Sequence, residues 1–267
     1  MNESSDGDFS FLLWLLSAAV AVLAAYLTQG WIRRAQRGPT VTSQWRAVLL
    51  AAGVLGTGLC ATMVLRMQAA ALPFPVGYHG WATAGLWLLA MTACIPVVAA
   101  PAASVRWWSL FASGAVLAVL AAPVQAGWIW AAGFRPGVVW RVDLLAGAVA
   151  GMAVGLAIAS WVVHSETGQS SDRRLLWRLG GALLTGLVLM AGQELVMWAA
   201  DLPTQQGSVY QQQVPGVLLS LVCGVLVPLL LAAMLLDLWM RRSLRNRSTR
   251  GFNPQKRRRR RYRSRHL

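Results

Sequence analysis

Long apolar runs alternate with short polar breaks along almost the whole chain. Seven runs, at about 9–31, 45–70, 81–100, 107–132, 143–163, 178–200 and 214–239, each approach the roughly 20 residues needed to cross a bilayer's hydrocarbon core. They predict an all-α integral membrane protein with seven transmembrane helices. The pattern divides the chain into an acidic N-terminal stretch, 1–8, a helical body, 9–240, and a tail, 241–267. Within the runs, Gly147, Gly151 and Gly155 recur at four-residue spacing and suit close helix packing inside the bundle. Pro228 predicts a kink in the last span.

Composition sharpens this picture. Hydrophobic residues make up 57% of the 267 and charged ones only 12%, yet the net charge is +15. The tail from Arg241 to Leu267 carries 13 of the 24 basic residues and no acidic one, so the body is close to neutral. Such a balance argues against a soluble enzyme, a disordered chain and a globular nucleic-acid-binding domain. If the spans alternate, Arg33, Arg34, Arg37, Arg46, Arg106, Arg173, Arg174, Arg178 and the tail fall on one side. The positive-inside rule then places the N-terminus outside and the C-terminus in the cytoplasm. The first span has no basic n-region ahead of it and reads as uncleaved. Trp31, Trp45, Trp107, Trp108, Trp161, Trp177 and Trp239 read as anchors at the inner interface. Trp81, Trp128, Trp130, Trp140 and Trp198 read as anchors at the outer one. Cys60, Cys94 and Cys223 lie within spans and read as small buried hydrophobes.

The connections after the even-numbered spans share a form. Leu72-Pro73 precedes Tyr78, Arg135-Pro136 precedes Trp140, and Leu202-Pro203 precedes Tyr210. This spacing suggests three helical-hairpin repeats followed by a seventh helix. The first unit, from Gly58 to Tyr78, resembles the repeat of the bacterial MHYT membrane sensor domain. Met67, Ala69, Leu72, Pro73, Pro75, Val76 and Tyr78 carry the resemblance. It implies an N-outside fold in the bacterial cytoplasmic (inner) membrane, a sensory role, and copper bound by Met and His side chains. The match is degenerate in its signature half. The family's Met-His pair falls on Thr62-Met63, and the corresponding histidine positions of the later units fall on Gln125 and Gln193, so the signature histidines are absent.

Two kinds of chemistry remain at that depth. Met63 and Met67 share a helix face, and with Met197 they offer three soft thioethers that suit Cu(I). Copper rests on the resemblance alone, and the residues by themselves ask for no cofactor. The other kind is polar. Arg66, Gln125, Gln193 and Glu194 stand inside apolar spans, where ionisable and amide groups are costly and must find partners. Arg66 is expected to face Glu194, with Gln125 and Gln193 hydrogen-bonded nearby. His79, His164 and His266 are too scattered to build a metal site.

The tail holds a dense run: Lys256, Arg257, Arg258, Arg259, Arg260 and Arg261. Like-charge repulsion with Gly251 and Pro254 predicts disorder. Its expected partners are anionic lipids or a protein. Only Phe252 and Tyr262 interleave with the charges, which argues against nucleic acid. No Walker loop, GxSxG or HExxH occurs, so no enzyme is expected. The GGDEF and EAL output domains often fused to MHYT sensors are also absent. The reading is therefore a stand-alone MHYT-like sensor acting on a separate membrane or cytoplasmic signalling protein. A small transporter or channel and a membrane scaffold subunit are the rival readings.

Overall fold

A computed structural model of the chain describes residues 10–70, 74, 76–103, 106–135, 137–164, 171–201, 207–210 and 213–251. Its elements in order are α1 (Phe11–Gln36), α2 (Val41–Ala69), β1 (Gly77–Tyr78), α3 (Gly80–Ala103), α4 (Trp107–Ala131), β2 (Phe134–Arg135), β3 (Val139–Trp140), α5 (Val142–His164), α6 (Ser171–Ala199), β4 (Ala200–Asp201), β5 (Gly207–Ser208), β6 (Val214–Pro215), α7 (Gly216–Leu221) and α8 (Val227–Gly251). Among the described residues, seven helical segments are long and apolar enough to cross a membrane. The last of them runs over Gly216–Met240. The basic run Lys256–Arg261 lies outside the described residues.

Three helices outlast their predicted apolar runs. α1 continues to Gln36, α6 begins at Ser171, and the last helix continues to Gly251. An apolar run measures the slab that a helix crosses, whereas backbone hydrogen bonding carries the helix past it. Arg33 and Arg34 also favour the last turn of α1, where cations meet the negative end of the helix dipole. α2 opens on a capping box: Thr40 Oγ1 accepts from the Ser43 amide at 3.2 Å and Ser43 Oγ from the Thr40 amide at 3.3 Å. In the last helix, Val222–Leu226 forms a π-helical turn just ahead of Pro228. A wider turn accommodates the proline ring and its missing donor.

Residues up to Leu231 form one compact unit, and a second begins at Ala232. In the first, consecutive helices from α1 to α6 pack side by side and α6 returns to α1. α2 also touches α4 and α7, and every residue from Val54 to Met67 is buried. A helix apolar on all sides belongs in an interior. Small residues let its neighbours close in. A Cβ on Gly56 would come within 2.6 Å of the Met91 backbone, and one on Gly58 would collide with Ala24. The bundle's exterior is apolar too, with Leu12, Leu88, Phe111, Leu187 and Leu229 exposed.

Two packing expectations need correction. Gly155 does abut Val188, but Gly147 and Gly151 meet nothing within 4 Å. The helix turns between them and carries the upper glycines off the α6 contact. Among the tryptophans, Trp45, Trp81, Trp108, Trp130, Trp161, Trp198 and Trp239 lie on the outside, whereas Trp31 and Trp128 are buried. Their faces of α1 and α4 point into the bundle, and depth along a helix says nothing of facing.

One end of the bundle is knitted by backbone. β1 pairs with β6, β2 with β5 and β3 with β4, each as a two-residue antiparallel ladder. Ser208, buried, fastens two of the connections. Its Oγ accepts from the Gly77 amide at 3.1 Å and lies 3.0 Å from the Gly77 carbonyl and 2.7 Å from the Ala132 carbonyl. A further bond recurs here. The amide just ahead of α1, α3 and α5 donates to the last carbonyl of the next even-numbered helix: Ser10 to Ala69 at 3.2 Å, His79 to Ala131 at 2.9 Å and Arg141 to Ala199 at 2.8 Å.

Candidate functional site

Below the ladders, apolar helices bring polar side chains together. Arg66 and Thr62 share one face of α2, being four residues apart. Arg66 forms an ion pair with Glu194 of α6, the arginine side chain 4% exposed and the carboxylate 37%. Trp14 of α1 donates its indole Nε1–H to the same Glu194 oxygen at 3.3 Å.

One turn deeper, Thr62 Oγ1 donates to the Leu59 carbonyl at 2.9 Å and accepts from Gln193 Nε2 at 3.1 Å. Gln125 of α4 donates from Nε2 to the Gln193 backbone carbonyl at 2.6 Å. Ser17 of α1 donates to the Thr62 carbonyl at 3.2 Å. One network thus ties α1, α2, α4 and α6, with Gln125 and Gln193 each only 2% exposed.

The network is incompletely paired. Arg66 Nη1, Gln125 Oε1 and Gln193 Oε1 are buried without a hydrogen-bond partner among the described residues. Each such atom costs about 1–3 kcal/mol, so stability alone does not account for the cluster. In a low-dielectric surround, hydrogen-bonded charges also act on one another strongly. Protonating Glu194 or breaking its bond to Arg66 would change the links among α1, α2 and α6 at once.

Of the residues singled out by sequence, the structure brings together Thr62, Arg66, Gln125, Gln193 and Glu194. The methionines sit beside this network. Met63 and Met67 are 1% exposed, and Met67 Sδ accepts from the Tyr78 hydroxyl at 3.5 Å. Met197 is half-buried on α6. His79 has a structural role. Its Nδ1 accepts from the Ala82 amide at 3.3 Å at the start of α3, and its ring meets Tyr210 edge-on. The side chain of His164 lies outside the described residues.

Sequence reasoning missed Trp14 and Ser17, and gave no sign that Tyr78 and Trp128 pack together in the interior. Tyr78, fully buried, packs edge-on against Trp128, which packs edge-on against Trp87. Burial pushes the Tyr78 phenol above its ordinary range. Trp14 and Ser17 stand one turn apart in α1, a weak signal in a span that also contains Thr28 and Gln29. Compared with known proteins, the chain matches no family model, no curated protein and no solved structure.

Proposed function

We propose that the chain is a multi-pass protein of a bacterial inner membrane, with its N-terminus outside, related to MHYT-type sensors and acting through a separate partner. With no family-model match, the reading rests on the residues themselves. One observation carries it: the recurring amide-to-carbonyl bonds mark Ala69, Ala131 and Ala199 as equivalent points. Met63, Gln125 and Gln193 each lie six residues before those alanines. They are the positions that the resemblance assigns to the signature histidines. This common register supports three hairpin repeats, and two of the former ligand positions meet where Gln125 donates to the Gln193 carbonyl.

The donor set there suits hydrogen bonding better than a cuprous ion. Met67 already accepts from Tyr78. Two of the three signature positions offer amide oxygens, which are harder than thioethers or imidazoles. The Arg66–Glu194 pair then takes the place of the metal as the element that two helical arrangements would treat differently. A signal reaches the partner only if both ends bias such a two-state element.

The test is crosslinking in native membranes followed by purification of the tagged chain, for wild type and Glu194→Gln. The expected result is a reproducible partner whose yield changes in the variant while the variant stays folded. No partner in either sample, or solute uptake into vesicles that depends on Glu194, would overturn the reading in favour of a scaffold or a transporter.

A further inference from the structure

The end of the bundle opposite the ladders contains a cavity of about 270 Å³ among α1, α2, α3, α4, α5 and α6. Its mouth carries Arg33, Arg37 and Arg178, with Gln29 and Gln36 beside them. No carboxylate lines it among the described residues. Arg33 lies in the last turn of α1, Arg37 caps that helix's C-terminal end, and Arg178 lies on α6. Away from the arginines the lining is mostly apolar, with Leu55, Val97, Leu117 and Leu156, and also includes Ser113 and Thr185. On α1 the lining runs from Arg37 back to Ala25, about 18 Å at 1.5 Å per residue.

A purely topological role for the arginines does not require a void between them. Topology is served equally well by basic side chains on loops or on the outer faces of helices. Here three arginines line one hollow whose other walls are mostly apolar. Guanidinium groups match phosphate oxygens in pairs. Basic pockets between membrane helices on the cytoplasmic side are suited to anionic head groups.

We propose that this cavity is a binding site for an anionic amphiphile. A phosphate ester head sits among Arg33, Arg37 and Arg178, and a single hydrocarbon chain lies against Leu55, Leu117 and Leu156. The dimensions favour one chain over two. The site lies at the far end of α1, α4 and α6 from the Arg66–Glu194 network and does not depend on the sensor reading.

The test uses the full-length chain, purified and stripped of lipid in a neutral detergent. Lysophosphatidylglycerol, lysophosphatidylcholine and inorganic phosphate are added separately. Binding is read by native mass spectrometry and by the shift in unfolding temperature. The expected result is saturable one-to-one binding of the anionic lysolipid at least tenfold tighter than that of the zwitterionic one. Arg33→Gln/Arg37→Gln/Arg178→Gln removes this preference. Ser113→Phe, which fills the cavity and leaves every arginine in place, weakens binding of both lysolipids. A third variant replaces Lys256, Arg257, Arg258, Arg259, Arg260 and Arg261 with serine and retains wild-type binding. Each variant's unfolding temperature without ligand shows whether it has folded, and the arginine and cavity variants test the site independently. Equal affinity for the two lysolipids, binding of inorganic phosphate as tight as that of the lysolipid, or loss of binding only in the tail variant would each overturn the proposal.

Discussion

Removing the two partners of the Arg66–Glu194 pair is expected to have unequal effects. Arg66 is buried, and its Nη1 has no partner among the described residues. Glu194→Gln leaves that guanidinium inside the bundle without its counter-charge, which costs about 3–5 kcal/mol. Arg66→Met removes the buried charge and keeps the volume. Glu194 is then left 37% exposed and still bonded to Trp14, at a cost of about 1–2 kcal/mol. The double variant has no buried charge to strand and should be more stable than Glu194→Gln alone, with a coupling of about 2 kcal/mol. For a chain of this size each kcal/mol moves the unfolding midpoint by about 2–4 °C. Thermal unfolding of detergent-solubilised protein should therefore show a loss of about 6–20 °C for Glu194→Gln and about half that or less for Arg66→Met. Additive losses, or a double variant less stable than both single ones, would refute the reasoning.

The ladder end offers a second check. Ser208→Ala removes a hydroxyl that meets Gly77 and Ala132, and should cost about 1–3 kcal/mol while raising amide exchange over 76–79 and 131–134. Gly56→Val places side-chain atoms against the Met91 backbone and should destabilise strongly, whereas Gly151→Ala, in open space, should be neutral or slightly stabilising. Melting temperatures of the two would separate a tight helix contact from an idle small residue. The raised Tyr78 phenol gives a signed pH effect. Below about pH 10 the phenol is neutral in folded and unfolded chains alike, so its contribution is fully present. Above that, only the unfolded chain ionises readily, and stability falls as pH rises. Tyr78→Phe should abolish this part of the alkaline loss in a pH series of unfolding midpoints. Metal analysis of protein purified from its native membrane should find no stoichiometric copper, and copper retained by wild type but lost in Met67→Leu would reverse that expectation.

The seven spans are legible because hydropathy over twenty residues is a strong signal, and their length sets the number of crossings. The partnership of Arg66, Glu194, Gln125 and Gln193 is legible for a related reason. A few polar groups confined to apolar helices have few places to go but toward each other. Trp14 and Ser17 give no such signal, since an indole or a small hydroxyl is tolerated at many depths of a span. Burial of Trp31 and Trp128 escapes a reading by depth because facing depends on neighbours that one helix does not announce. The ladders escape altogether: two residues are too few for an alternating pattern. The arginine-lined cavity is a matter of what the helices leave unfilled, and no run of residues encodes a void.

The ladders and the three recurring amide-to-carbonyl bonds gather one end of the helices into a collar. The other end, where the arginine-lined hollow lies, has no such ladder among the described residues, and there Gln36 Nε2 donates to the Pro101 carbonyl at 2.8 Å. A bundle held in this way works like a set of levers on a common fulcrum. A helix of 24 residues, the length of α3, is about 36 Å long. A tilt of about 10° at the collar would carry its far end roughly 6 Å, about the width of a hydrocarbon chain, from so small a change beside Arg66 and Glu194. On the proposed sensor reading, small rearrangements near the collar would become larger displacements at the opposite face.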